Sequence, residues 1–266
     1  MNAKAQKIIG LMTIVVVLLT ASGCSGRGPR LRIGELQTES QAVELGGAQS
    51  VRVELEMGAG ELDVAGGADG LLEADFTYNV AEFKPEVKYS GGTLSVRQPH
   101  IEERASLWDV DDYRYQWDLR LNSDVPIEMA IDLGAGKAAL ELGRLSLTRL
   151  GVKTGAGDVT IDLSSSSSLT RLEVEMGTGQ VTVDLTGNWQ EDLDVDLTGG
   201  VGELIVRLPS SIGVRVDIEA GISGIDTQGL TKDGDHYVND AYGKSGATLR
   251  IDIKAGIGSI KLHVAE

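Results

Sequence analysis

The stretch from Ile101 to Leu121 concentrates Trp108, Asp109, Asp111, Asp112, Tyr113, Arg114, Tyr115 and Trp117 in a chain that has only three tryptophans, six tyrosines and two phenylalanines. Aromatic faces beside carboxylates can stack on and hydrogen-bond to sugar rings. Trp108, Asp109, Asp112, Tyr113, Arg114 and Trp117 are therefore the candidate ligand-binding residues, with cell-wall glycan as the matching ligand. The competing reading is that these aromatics seal the flank of a domain. A second set of carboxylates, Asp162 and Asp184 with Glu141, recurs at one offset after glycine-rich turns, and would attract divalent cations if the side chains converged. A solvated face is the plainer expectation.

Other chemistry finds little support. His100, His236 and His263 lie far apart, and no nucleophile and base can be paired, so no catalytic residue is named. The insertion from Thr231 to Gly246 carries Asp233, Gly234, Asp235, His236, Asn239 and Asp240. An EF-hand there would need Gly at 238 and Glu at 244, where the chain has Val238 and Lys244. No Gly-x-Gly continues into a dinucleotide or phosphate-loop pattern. Neither a metal site nor a cofactor is expected. An enzyme of the β-helix kind, acting on polysaccharide with carboxylates brought together by stacking, is the alternative function.

Cys24 is the only cysteine, which rules out an intrachain disulfide or a cysteine-rich metal site. Residues 1–23 read as an export signal: Lys4 and Lys7, an apolar run from Ile8 to Leu19, then Ala21, Ser22 and Gly23. A spanning helix needs roughly 20 apolar residues, and this run stops short of that. The segment Leu19-Thr20-Ala21-Ser22-Gly23-Cys24 resembles the bacterial lipobox, which implies cleavage before Cys24 and its acylation. Two or three acyl chains, palmitate among them, hold a protein firmly on a bilayer. The expected location is the outer membrane or the outer face of the cytoplasmic membrane. Residues 24–47 read as a polar tether.

Cleavage removes two lysines and no acidic residue, taking the formal charge from -16 to -18. That balance argues against nucleic acid as a partner. Thirty-five glycines with two phenylalanines point to many turns and an aliphatic core. The glycines fall in a repeat: Met57-Gly58-Ala59-Gly60, Leu133-Gly134-Ala135-Gly136, Thr154-Gly155-Ala156-Gly157 and Met176-Gly177-Thr178-Gly179, with looser copies at Gly199, Gly221 and Gly256. Before the turns apolar and polar residues alternate, as in Leu172, Val174 and Met176 against Arg171, Glu173 and Glu175. They alternate again after the turns. The pattern predicts an all-β, single-stranded β-solenoid of stacked coils of about 22 residues, each strand, Gly-x-Gly, strand. An antiparallel β-sandwich is the alternative fold. Residues 48–123 would form an N-terminal β domain containing the aromatic insertion, and residues 124–266 the solenoid repeats.

These copies, with the closing YGKSGATLRIDIKAGIGSIKLHV, resemble the toast-rack and LiaF-type bacterial envelope domains, roughly from Val51 to Val264. The resemblance implies a β-solenoid and a place among adhesin-like or cell-wall-stress proteins, without catalytic residues. LiaF proteins carry transmembrane helices that this chain lacks, so the lipoprotein branch fits better than the restraint of a stress sensor. The expected function is a lipid-anchored, non-enzymatic binding or scaffold module facing a cell-wall polysaccharide or an envelope protein. Cys24→Ala is expected to abolish palmitate labelling and membrane partition, read by fractionation; unchanged processing and partition would refute the anchor.

Overall fold

A computed structural model describes residues 32–100, 112–164, 166 and 168–265. The signal segment, Cys24, Trp108 and Asp109 lie outside the described residues. Within them, no helix is long and apolar enough to cross a membrane. The strands are β1 (Gln37–Val43), β2 (Val51–Gly66), β3 (Leu72–Tyr78), β4 (Glu86–Ser90), β5 (Thr93–Arg97), β6 (Tyr115–Leu121), β7 (Ile127–Glu141), β8 (Leu147–Asp162), β9 (Arg171–Asp184), β10 (Leu193–Leu208), β11 (Gly213–Gln228), β12 (Thr231–Asp233), β13 (His236–Val238) and β14 (Thr248–Val264). They form one continuous, unclosed sheet, with one 3₁₀ turn among the described residues, at Ala81–Phe83.

The body of the molecule is a parallel stack in the order β2, β7, β8, β9, β10, β14, β11. Parallel pairing throughout this stack excludes the antiparallel sandwich and confirms the β-solenoid. Each long strand has two arms. In β2, Val51, Val53, Leu55 and Met57 are buried, then Leu62 and Val64, so the buried positions pass from odd to even across Gly58-Ala59-Gly60. Strand side chains alternate with a period of two, so without that change the second arm would turn its apolar side to water. The Gly-x-Gly corner supplies the odd residue, and both arms feed one core. Burying a Val, Leu or Ile contributes about 1.5–3 kcal/mol each, set against the entropy of ordering the chain.

The corner also explains why the turns carry glycine. In every rung but β11 the last residue of the corner is a glycine with positive φ, 143° at Gly157, and a Cβ built there would lie 1.8 Å from the carbonyl oxygen of Gly136. Backbone stacks directly on backbone, leaving no room for a side chain.

Three features of the fold are absent from the sequence reading. Strand β1 lies inside the stretch 24–47 expected to be a tether, pairing antiparallel with β3 from Gln37↔Tyr78 to Val43↔Leu72. Its alternation is masked by polar residues, which suit an edge strand. Neither the sheet nor the core breaks at 123/124: β2 is the first rung of the stack, and residues 67–100 with 112–126 cap it. The strand order also leaves the chain order, because β14 enters between β10 and β11.

On the outer side of the first arm, side chains align in charged rows. Arg149, Arg171, Asp194, Arg250 and Arg215 share one row, and Glu173, Asp196, Asp252 and Asp217 the next. Ion pairs link the two rows: Arg171 with Glu173 at 3.0 Å and with Asp196, and Arg215 with Asp217 at 2.9 Å. Exposed pairs contribute little stability each, about 0–1 kcal/mol, but a slip of register would break several at once.

Gly157→Ala is expected to cost more than about 3 kcal/mol, because strain and backbone overlap add. Gly151, in the first arm of the same strand, has open space around a built Cβ. Gly151→Ala should instead be neutral or stabilising by up to roughly 1 kcal/mol. Denaturant titration of the two variants measures the contrast.

Candidate functional site

The first corner of the stack has no earlier rung to satisfy its backbone, and the cap supplies the missing partners. Gln98 Oε1 accepts hydrogen bonds from Gly58 N at 2.7 Å and Ala59 N at 3.3 Å. The Tyr113 hydroxyl donates to Ala59 O at 2.9 Å. Asn79 fixes the segment that carries Tyr113: its Nδ2 donates to Asp112 O at 2.6 Å, and its Oδ1 accepts from Arg114 N at 2.9 Å. The Tyr113 ring stacks on Tyr115, with 6.2 Å between centroids and 14° between planes, and meets Phe83 edge-on. Tyr115 is buried and donates to Phe83 O at 2.8 Å.

Beside this corner lies a groove of about 840 Å³, lined among others by Leu36, Glu61, Tyr113, Arg114, Gln116 and Lys137. Two of the six candidate residues, Tyr113 and Arg114, meet there. Asp112 is exposed next to them. Arg114 is held at the rim, its Nη1 donating to Tyr113 O at 2.9 Å. Trp108 and Asp109 fall outside the described residues.

Trp117 is not a surface aromatic. It is 0% exposed and packs edge-on against Phe76, 5.8 Å between centroids. The cause is the alternation of β6, which turns Tyr115, Trp117, Leu119 and Leu121 inward and Gln116, Asp118 and Arg120 outward. For Trp117, packing replaces the expected ligand contact. Gln98 and Asn79, which hold the corner, carry no local sequence signal, since their partners lie 33 to 40 residues away.

The carboxylates of the second arm do stack, Glu141 beside Asp162 beside Asp184. Asp162 and Asp184 are occupied locally. Asp162 Oδ1 accepts from Ser164 N at 2.8 Å; Asp184 Oδ1 accepts from Thr186 N at 3.0 Å and Thr186 Oγ1 at 2.6 Å. Arg207 closes the row, 3.4 Å from Asp184 Oδ2. These bonds tie down the turns that leave each rung. Asn239 is likewise structural: buried, it donates to Pro209 O and Ile212 O and accepts from Val214 N. Among the described residues, no group of three or more His, Cys, Asp or Glu is placed to hold a metal ion. Asp63 faces Asp118 across β2 and β6; burial lifts its carboxyl above the ordinary range, and the Asp118 charge adds to the effect.

A family profile described as the N-terminal domain of toast_rack, DUF2154, matches residues 32–168 and 165–207. The chain belongs to the toast-rack family. A solved structure from Clostridium sporogenes, described as a "putative cell adhesion protein", is 30% identical, covers 87% of this toast-rack chain and 100% of its own, and has a TM-score of 0.68. A "putative adhesin" from Bacteroides fragilis is 13% identical over 88% of this chain and 100% of its own, with a TM-score of 0.37. No curated protein matches.

Burial pushes the Tyr113 phenol up from 10.0 to about 12, and raises that of Tyr115 further. A phenol raised in the folded state adds stability that is complete below pH 10 and is lost as pH rises through about 12. Tyr113→Phe is therefore expected to cost about 1 kcal/mol at neutral pH, from the lost bond to Ala59 O. Its stability should also fall less steeply than the parent's between pH 10 and about 12, followed by denaturant midpoints across that range.

Proposed function

We propose that this protein is a non-catalytic binding module of the bacterial envelope, held on a membrane by acylated Cys24, with the groove beside Tyr113 and Arg114 as its contact surface. The observation that carries this reading is the groove's position and lining. It sits on a corner that Gln98, Asn79 and Tyr113 hold rigid, and it combines apolar Leu36 with Glu61, Lys137 and Arg114 at the rim. A preformed concave surface with a few placed polar groups is the usual form of a binding site. The adhesion role ascribed to the C. sporogenes relative supports the same class of function.

Between the two ligand classes, an envelope protein is favoured over a glycan. Trp117 is sealed in the core, and Tyr113 presents only part of its ring, with its hydroxyl already engaged. Mixed charge around an exposed leucine suits a protein segment better than a sugar ring. The carboxylate row of the second arm serves its own turns, which removes the best support for polysaccharide hydrolysis.

The test uses the full chain in intact cells with a photo-reactive residue at Arg114, and another at Thr160 on the solenoid flank as control. A discrete envelope-protein adduct at 114 and none at 160 is the expected result. Retention on purified peptidoglycan, lost in Arg114→Ala with Lys137→Ala, would transfer the site to a glycan ligand. The absence of both adduct and retention would overturn the assignment of the groove.

A further inference from the structure

The two ends of the stack are finished differently. At the β2 end, β5 covers the first arm, β6 the second, and Gln98 with Tyr113 the corner. At the β11 end, β13 pairs only with Arg215 to Asp217. Among the described strands, none lies along the outer side of Gly221 to Gln228, whose ladder runs to β14 alone.

Apolar groups collect at this open edge. Ile225 continues the column of Val159, Val181, Leu204 and Ile260, which are at most 6% exposed, yet it is itself 42% exposed. The middle residue of the corner grows along the stack, from Ala135 and Ala156 through Thr178 to Val201, Ile257 and Ile222. The last three are 48%, 54% and 79% exposed. The edge carries no lysine, no proline and no inward-pointing charge, the devices that keep strand edges apart. The opposite edge of the same sheet, β1, does have one. Its half-buried Glu39 is tied to Lys84 Nζ at 2.7 Å, and its neighbours are Thr38, Ser40 and Gln41. Head-to-tail pairing of β1 with β11 would therefore set polar groups against Ile225.

We propose that the second arm of β11 is a self-association edge, to which a second copy of this chain adds the same segment antiparallel, across a twofold axis at Ile225. The segment is self-complementary in that register: Ile225 faces Ile225, Ser223 faces Thr227, Gly224 faces Asp226, and Ile222 faces Gln228, with no like charges opposed. A two-residue slide one way opposes Asp226 to Asp226, and the other way opposes Ile222 to Asp226. A one-residue slide turns inward side chains outward. A further parallel coil is disfavoured, since Ser223 stands where the other rungs have the positive-φ glycine of the corner. The closed pair extends both cores through Ile225 and ends both sheets, as a twofold interface does. A strand pair of this length, about 27 Å, buries less than the roughly 1,200 Å² of a standard interface. Pairing is accordingly weak in dilute solution and favoured where chains are crowded. None of this depends on the ligand groove at the other end.

The experiment is cysteine crosslinking of the full chain in its own cells, resolved on non-reducing gels. Facing Cα atoms of an antiparallel pair lie about 4.5–5.5 Å apart, within disulfide reach. Ile225→Cys is expected to give several-fold more dimer than Ser223→Cys, which sits about 13 Å along the strand from its own copy. It should also exceed Ser40→Cys in β1 and the unaltered chain. Ser223→Cys co-produced with Thr227→Cys should crosslink although neither does alone, which keeps Ile225 intact should its replacement impair folding. Equal yields at 223, 225 and 40, or no dimer from Ile225→Cys and from the 223 and 227 pair, would overturn the proposal.

Discussion

Backbone packed on backbone at the Gly-x-Gly corner is the contact on which the rest of the molecule depends. The carbonyl of one rung fills the space where the next rung's Cβ would be, so every rung must bend at the same height. Once the corners are aligned, the register of both arms follows, and with it the inward columns of Val, Leu and Ile and the outward rows of charge. The corner's odd residue lets a strand with period-two alternation keep both arms facing a single core. Hydrophobic burial supplies most of the driving force, but the glycines decide which burial is possible.

A stack built this way has two ends, and an end exposes unpaired backbone and core side chains. Residues 67–100 and 112–126 deal with the first end, adding strands to both arms and side-chain partners to the corner. The same residues shape the groove, so the proposed contact surface is a by-product of capping. The second end receives only the short β12–β13 hairpin on one arm.

Much of the fold was legible because its determinants are local and repeated. The alternation of Leu172, Val174 and Met176 with Arg171, Glu173 and Glu175, and the spacing of the glycines, contain the strands, the corner and the stack. The site was less legible. Trp117 carried the right chemistry, and only its place in the alternation Tyr115, Trp117, Leu119 told that it points inward. Tyr113 and Arg114 were singled out by type, but the residues that hold this corner, Gln98 and Asn79, act through long-range pairing that no local pattern encodes. Strand β1 was hidden for a related reason: an edge strand has few apolar residues to betray it.

The placement of β14 between β10 and β11 has a bearing on how the chain acquires its structure over time. Rungs β7 to β10 can add in the order in which they are made, each settling on its predecessor. β11 cannot, because its proper neighbour has not yet emerged when it appears; its ladder is to β14, more than twenty residues later. Until that segment arrives, β10 presents a bare edge, and β11 is held by little beyond the small β13 hairpin. The slow, non-local closure of the sheet is thus deferred to the end of synthesis. A chain caught before that step has a finished stack from β2 to β10 and an open last rung.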